Sequence, residues 1–245
     1  MSVFASLVER LAELLQPLFL TSATAAAIVL FTAFVRLAVH PLSRAAARGQ
    51  KANARLAPQV AAVRKKHRNN PERQQRALME LYAKEKASPL SGCLPSLLQL
   101  PAFFLLYHLF SSTSIGGEPN ALLDHRLFAA PLGERWTDAL ADGGVLGGAG
   151  AVYLGLFVLV AAVATFNYRR TKRQLAAAPA EAGTPPGMAA MTRMMPLLSF
   201  ATLITVAVVP LAAALYIVTS TTWSAVERAV LYRDMPAAGA LTNPL

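Results

Sequence analysis

Between Glu13 and Arg44 the chain carries one formal charge, Arg36. A guanidinium inside a membrane-crossing stretch costs several kcal/mol and marks a functional site by default. The competing reading is snorkelling. Arg36 lies eight residues before Arg44, about 12 Å along a helix at ~1.5 Å per residue, and an arginine stem covers part of that distance. No acidic residue lies in the interior of another expected span to neutralise Arg36. Its charge therefore needs water, lipid headgroups or polar side chains, and a water-filled cavity open to the cytoplasm would supply them. Thr32 sits one turn away on the same face, and Gln99, Thr165, Asn167, Ser199, Thr202, Thr205 and 219–222 (Thr-Ser-Thr-Thr) are further candidates. For the hydroxyls the alternative is a bond to their own or a neighbouring helix. Gln99 is harder to dismiss, because a side-chain amide is costly to bury without partners.

Other chemistries find little support. His40, His67, His108 and His125 are scattered without metal-ligand spacing. Cys93 is the sole cysteine, which excludes an internal disulfide, and it reads as a small packing residue. GGVLGGAG at 143–150 is not a phosphate-binding loop and reads as flexible entry to a span. No span carries an acid suited to a proton relay. No metal, no cofactor and no enzymatic activity are expected.

The elements that must position Arg36 follow from the charge map. The chain has 245 residues, 55% of them hydrophobic and 15% charged; a soluble domain carries about 25% charged residues. Uncharged stretches lie between Glu13 and Arg36, Lys86 and Glu118, Asp142 and Arg169, and Arg193 and Glu227. Each exceeds the roughly 20 residues that cross ~30 Å of hydrocarbon. The expected layout is an amphipathic helix over 1–17, interfacial or docked on the bundle, and a first span over 18–42. A basic helical hairpin follows over 43–88, then a second span over 89–113, an external loop over 114–146 and a third span over 147–168. A loop over 169–189, a fourth span over 190–208, a fifth over 211–230 and a tail over 231–245 complete it. Pro210 divides the last apolar stretch into two; a single helix, giving four spans, is the alternative.

Residues 43–88 carry twelve basic side chains against three acids, and residues 114–146 two against five. Short loops rich in Lys and Arg stay in the cytoplasm. The hairpin and the 169–189 loop are therefore expected inside and the acidic loop outside, with the N-terminus out and the C-terminus in. Asn69, Asn70 and Pro71 mark the turn of the hairpin, since proline suits the first position of a helix. The hairpin lacks the interleaved aromatics of a nucleic-acid reader. Anionic headgroups are its expected partner, with ribosomal RNA as a further contact and no dedicated nucleic-acid target.

The stretch SPLSGCLPSLLQLPAFFLLY (88–107) resembles the signature of the YidC insertase family. VRLAVHPL (35–42), the basic segment 55–85, MMPLLSF and LAAALYIVTSTTWSAVERAVL resemble further parts of that family, in its order, over roughly 18–232. The resemblance implies an all-α integral membrane protein: a five-transmembrane-helix bundle with a hydrophilic groove and a cytoplasmic helical hairpin. Arg36 matches the groove arginine of that family, and Thr32, Gln99, Thr165, Asn167, Thr202 and Tyr216 are expected with it at the groove. It also implies insertion and folding of nascent transmembrane segments in a bacterial cell membrane without nucleotide hydrolysis, with nascent membrane proteins, the lipid bilayer, the ribosome and the Sec translocon as partners. Ser88, Ile217 and Glu227 depart from the usual Asn, Trp and Gln, and alanines at 212–214 replace a glycine-bearing stretch. The absence of a large domain before the first span resembles Gram-positive-type members, and the absence of a long basic tail argues against strong ribosome tethering through the tail. A small-solute or ion transporter, and a Sec-associated assembly subunit without insertion activity of its own, are the alternatives.

Overall fold

Most of the chain is helical, and the computed structural model describes residues 2–85, 94–115, 117–177 and 194–233. The start of the expected second span, much of the 169–189 loop and most of the C-terminal tail lie outside the described residues. Helix α1 (Ser2–Phe19) runs through Pro17. Its apolar stripe docks on the bundle: Val8 is fully buried, with Ala5, Leu11, Ala12 and Leu15 packed against the core. Phe4 meets Phe31 edge-on, with ring centroids 6.4 Å apart. The stripe finds an apolar partner in the protein, while Leu14 and Leu18 stay exposed. A 3₁₀ turn, Leu20–Ser22, reverses the chain. Leu20 takes φ +47° there, a left-handed conformation that costs a non-glycine residue about 1–2 kcal/mol.

Helix α2 (Ala23–Lys66) continues through Pro41 and Pro58. The expected boundary between first span and basic segment at 42/43 is therefore not a helix boundary. Each proline forfeits one backbone bond, and the Ala-, Arg- and Gln-rich sequence around them favours helix. At ~1.5 Å per residue α2 is about 66 Å long, roughly twice the hydrocarbon thickness. The chain turns at 67–70, where the Asn70 side chain accepts a 2.9 Å bond from Arg73 N. Pro71 then opens helix α3 (Pro71–Lys84), which packs against α2.

Helix α4 (Leu94–Ser111) leads into the acidic segment. Residues 114–146, expected as a loop, hold two short antiparallel ladders: β1 (Ser114–Ile115) with β2 (Glu118–Pro119), and β3 (Arg126–Leu127) with β4 (Ala130–Pro131). Helix α5 (Trp136–Ala141) follows. The segment packs as part of the protein, with Leu122, Ala130, Leu132 and Ala139 buried. Buried Asn120 ties it to α4, donating 2.9 Å bonds from Nδ2 to the carbonyls of Leu109 and Ser112 and accepting from Leu122 N.

Helix α6 (Gly148–Ala177) runs past the expected end of the third span at 168. A 3₁₀ stretch, Met195–Phe200, leads into α7 (Ala201–Val208). Val209 and Pro210 are extended, and α8 (Leu211–Leu231) begins after them. The break expected at Pro210 is present. The first N–H groups of a helix lack intrahelical partners. Here Leu211 N donates to Glu134 O and Ala212 N to Leu132 O, both at 2.9 Å. The Tyr153 hydroxyl donates to the same Glu134 carbonyl at 2.7 Å. Helix α8 is the hub, packing on α2, α4, α6 and α7. Among the described residues two helical stretches are long and apolar enough to cross a bilayer, Phe4–Lys66 and Gly148–Arg173; Met195–Val208 is apolar but shorter.

Replacing Asn120 by Ala strands the carbonyls it caps. We expect stability to fall by about 1–3 kcal/mol, read as a lowered thermal midpoint of the purified protein in detergent. An unchanged midpoint would show that Asn120 does not hold the outer segment.

Candidate functional site

The site lies where α2 packs on α8. In a helix, residues three and four apart share a face. That spacing aligns Arg36, His40 and Ser43 on α2, and Ser220, Ser224 and Glu227 on α8. The two stripes meet. Arg36 donates from Nε to the Ser220 hydroxyl oxygen at 3.1 Å and from Nη2 to the same oxygen. About ten ångströms along, at ~1.5 Å per residue of α8, His40 Nδ1 pairs with a Glu227 carboxylate oxygen at 2.6 Å. A pair of this kind is charge-assisted when the imidazole is protonated.

Beside this seam is a cavity of about 650 Å³. Arg36, Ser43 and Gln50 of α2, Asn167 and Arg170 of α6, and Ser224, Glu227 and Arg228 of α8 give it a polar lining. Leu42, Leu100, Phe103 and Leu231 give it apolar walls. On the side of Arg36 away from Glu227 the interior closes. Tyr216 is buried against Phe103 and Phe110, each with ring centroids 6.1 Å from its own. Beyond it Leu211, Ala212, Ala213 and Ala214 are wholly buried.

The expected site residues are only partly gathered here. Arg36 and Asn167 line the cavity, and Tyr216 packs beneath Arg36. Thr32 is buried, but its hydroxyl donates to Ile28 O of its own helix at 2.7 Å. Thr165 on α6 and Thr202 on α7 are half-buried and do not line the cavity. The Gln99 side chain lies outside the described residues. Ser220 was one of several hydroxyls available to Arg36 and is the one that binds it. His40 and Glu227, which the sequence marks only as a scattered histidine and as a departure from the family's usual Gln, pair across the seam, and the expectation that no acid reaches the interior fails at Glu227. The readable signal was their spacing: His40 follows Arg36 by four residues, and Glu227 follows Ser220 by seven. Among the described residues no group of His, Cys, Asp and Glu could hold a metal ion.

If the cavity is wet, a thiol in it is reactive. In a Cys93→Ser background, Ser224→Cys should react several-fold faster with a membrane-impermeant maleimide than Val206→Cys, whose site is fully buried. Equal rates would mean that the cavity is closed to solvent.

A sequence-family model described as "60Kd inner membrane protein" matches residues 17–238. Proteins named membrane protein insertase YidC are similar over shorter stretches. That of Clostridium perfringens is 42% identical over 84 residues, 34% of this chain and 35% of the relative. That of Polynucleobacter asymbioticus is 39% identical over 101 residues, 41% and 18%. That of Granulibacter bethesdensis is 43% identical over 81 residues, 33% and 14%. The matched stretch thus spans about a third of the first relative's length and under a fifth of the other two.

Proposed function

The chain belongs to the 60Kd inner membrane protein family, and from that membership and the cavity around Arg36 we propose that it is a membrane protein insertase. The single observation that carries the reading is a half-buried arginine held by Ser220 at the closed end of an amphipathic cavity. The cavity's other end lies near the basic end of α6, with Arg169, Arg170, Lys172 and Arg173. Its clients are nascent transmembrane segments with short polar outer tails. An acidic tail enters the cavity, where Arg36 replaces part of its lost hydration with a charge-assisted bond. The apolar segment then slides into lipid. Its own transfer free energy, about 25 cal/mol per Å² of apolar surface, drives release, so no nucleotide is needed.

The topology that suits this role has five spans, with the N-terminus outside and the C-terminus in the cytoplasm. Helix α1 and the acidic segment lie at the outer face. The distal half of α2 and α3 form a basic hairpin in the cytoplasm, where ribosome and Sec translocon are its expected contacts. Transport of a small solute is the competing activity. The lack of an interior acid no longer counts against it, since Glu227 lines the cavity. What disfavours it is the sealed outer end: a transporter needs an exit there, and Leu211–Ala214 and the docked acidic segment fill that space.

Arg36→Ala should lower insertion of a single-span client with an acidic outer tail by roughly tenfold, the equivalent of one charge-assisted bond. A client with a neutral tail should be affected much less. Proteoliposomes without a Sec channel give the measurement. Full insertion of the acidic client by the variant would remove Arg36 from the mechanism, and no insertion by the unaltered protein would favour an assembly subunit.

A further inference from the structure

Away from Arg36, the same cavity has a cationic mouth that the insertion reading does not use. Arg170 of α6 and Arg228 of α8 both line it. The Arg170 guanidinium lies over the Tyr232 ring, 5.5 Å from its centroid. This clasps the end of α8 to α6 and fixes the arginine's direction. Arg228 is within electrostatic range of Arg170, and the two repel. Burial pushes the Tyr232 phenol above its ordinary value, while Arg228 and Arg170 pull it back. The phenol thus stays neutral and offers no compensating charge. Glu227, the one acid in the lining, is engaged by His40. Among the described residues no carboxylate forms an ion pair with Arg170 or Arg228.

Two arginines that share one cavity mouth within electrostatic range, neither in an ion pair with a carboxylate among the described residues, are poised for an anion. Planar guanidiniums suit phosphate oxygens in particular. The surroundings select the kind of phosphate. Leu42, Leu100 and Leu231 share the lining, so the cationic mouth adjoins apolar walls. It also lies at the polar end of α6, where a membrane interface would fall. A free phosphate gains nothing from such walls, whereas a phospholipid fills both parts.

We propose that Arg170 and Arg228 form a binding site for one anionic phospholipid, its headgroup phosphate between the guanidiniums and an acyl chain along the Leu42, Leu100 and Leu231 wall. The site does not depend on the cavity admitting a client. A lipid there neutralises the mouth and keeps the apolar wall covered while no client is present.

Native mass spectrometry of the full chain, released from mixed phosphatidylglycerol and phosphatidylcholine nanodiscs, tests this. The unaltered protein should retain one phosphatidylglycerol in preference to phosphatidylcholine. Arg170→Gln and Arg228→Gln should each weaken retention roughly tenfold, the loss of one charge-assisted contact. Arg169→Gln, exposed and outside the cavity lining, should leave retention unchanged. Arg228→Lys should keep part of it, which separates a site from a misfolded variant. Equal retention of both lipids, or equal loss with Arg169→Gln, would overturn the proposal. Displacement of the lipid by millimolar inorganic phosphate would overturn it too, by showing a simple anion site. Insertion assays on the same variants keep its failure distinct from failure of the insertase reading.

Discussion

The contact between Arg36 and Ser220 is the constraint on which the rest of the bundle depends. A guanidinium cannot lie in hydrocarbon unaided, and one serine hydroxyl satisfies only part of its five donors. Beside it lies a cavity wall that is polar on three helices. Helices α2, α6 and α8 all turn polar side chains to this place. Helix α8 is central to it. That helix supplies Ser220 to the arginine, Glu227 to His40 and its aromatic and alanine end to the closure.

Closure at the other end depends on backbone chemistry. Interrupting a helix at Val209–Pro210 exposes N–H groups in the protein interior, where an unsatisfied donor costs about 1–3 kcal/mol. The carbonyls of Leu132 and Glu134 meet two of them. The acidic segment is therefore a structural part of the bundle. Its ladders and short helix exist to present those carbonyls, and Tyr153 and Asn120 fix it from α6 and towards α4.

Local signals in the sequence carried the features that obey local rules. Pro210 marks the break because no helix interior tolerates proline cheaply. Asn70 and Pro71 mark the turn because capping is decided within four residues. Arg36 stood out because a single charge among apolar neighbours has few explanations. Contacts between helices were less legible. Thr32 has the right spacing to Arg36, yet its hydroxyl turns to Ile28, a choice any helical threonine has. His40 and Glu227 were unremarkable apart, and only the packing of α2 on α8 brings them within 2.6 Å. The segment 114–146 read as a loop because its strands are two residues long and have no periodicity to detect. The helix α2 defied its own prolines, since tertiary context and a helix-favouring sequence outweigh one lost bond each.

The positions along α8 convert this architecture into an energetic statement about insertion. From Glu227 to Ser220 is about 10 Å at ~1.5 Å per residue, and from Ser220 to Leu211 about 14 Å. The first interval is flanked by the cavity and the second by buried apolar side chains. In the proposed role, with a bilayer core of about 30 Å, a charge brought as far as Arg36 would have crossed a substantial part of the barrier in polar surroundings. What remains is the sealed interval. Because the Born cost of a charge falls as the low-dielectric path around it shortens, the proposed insertase role asks for a seal that is thin but intact: thick enough to hold back ions, thin enough for a short tail to cross. Alanine at 212–214 serves the first requirement by allowing close helix contact. The buried Tyr216 between Phe103 and Phe110 serves it again one turn nearer the cavity. In the proposed role, a deeper cavity would ease the tail across but leave less packing to keep the membrane tight.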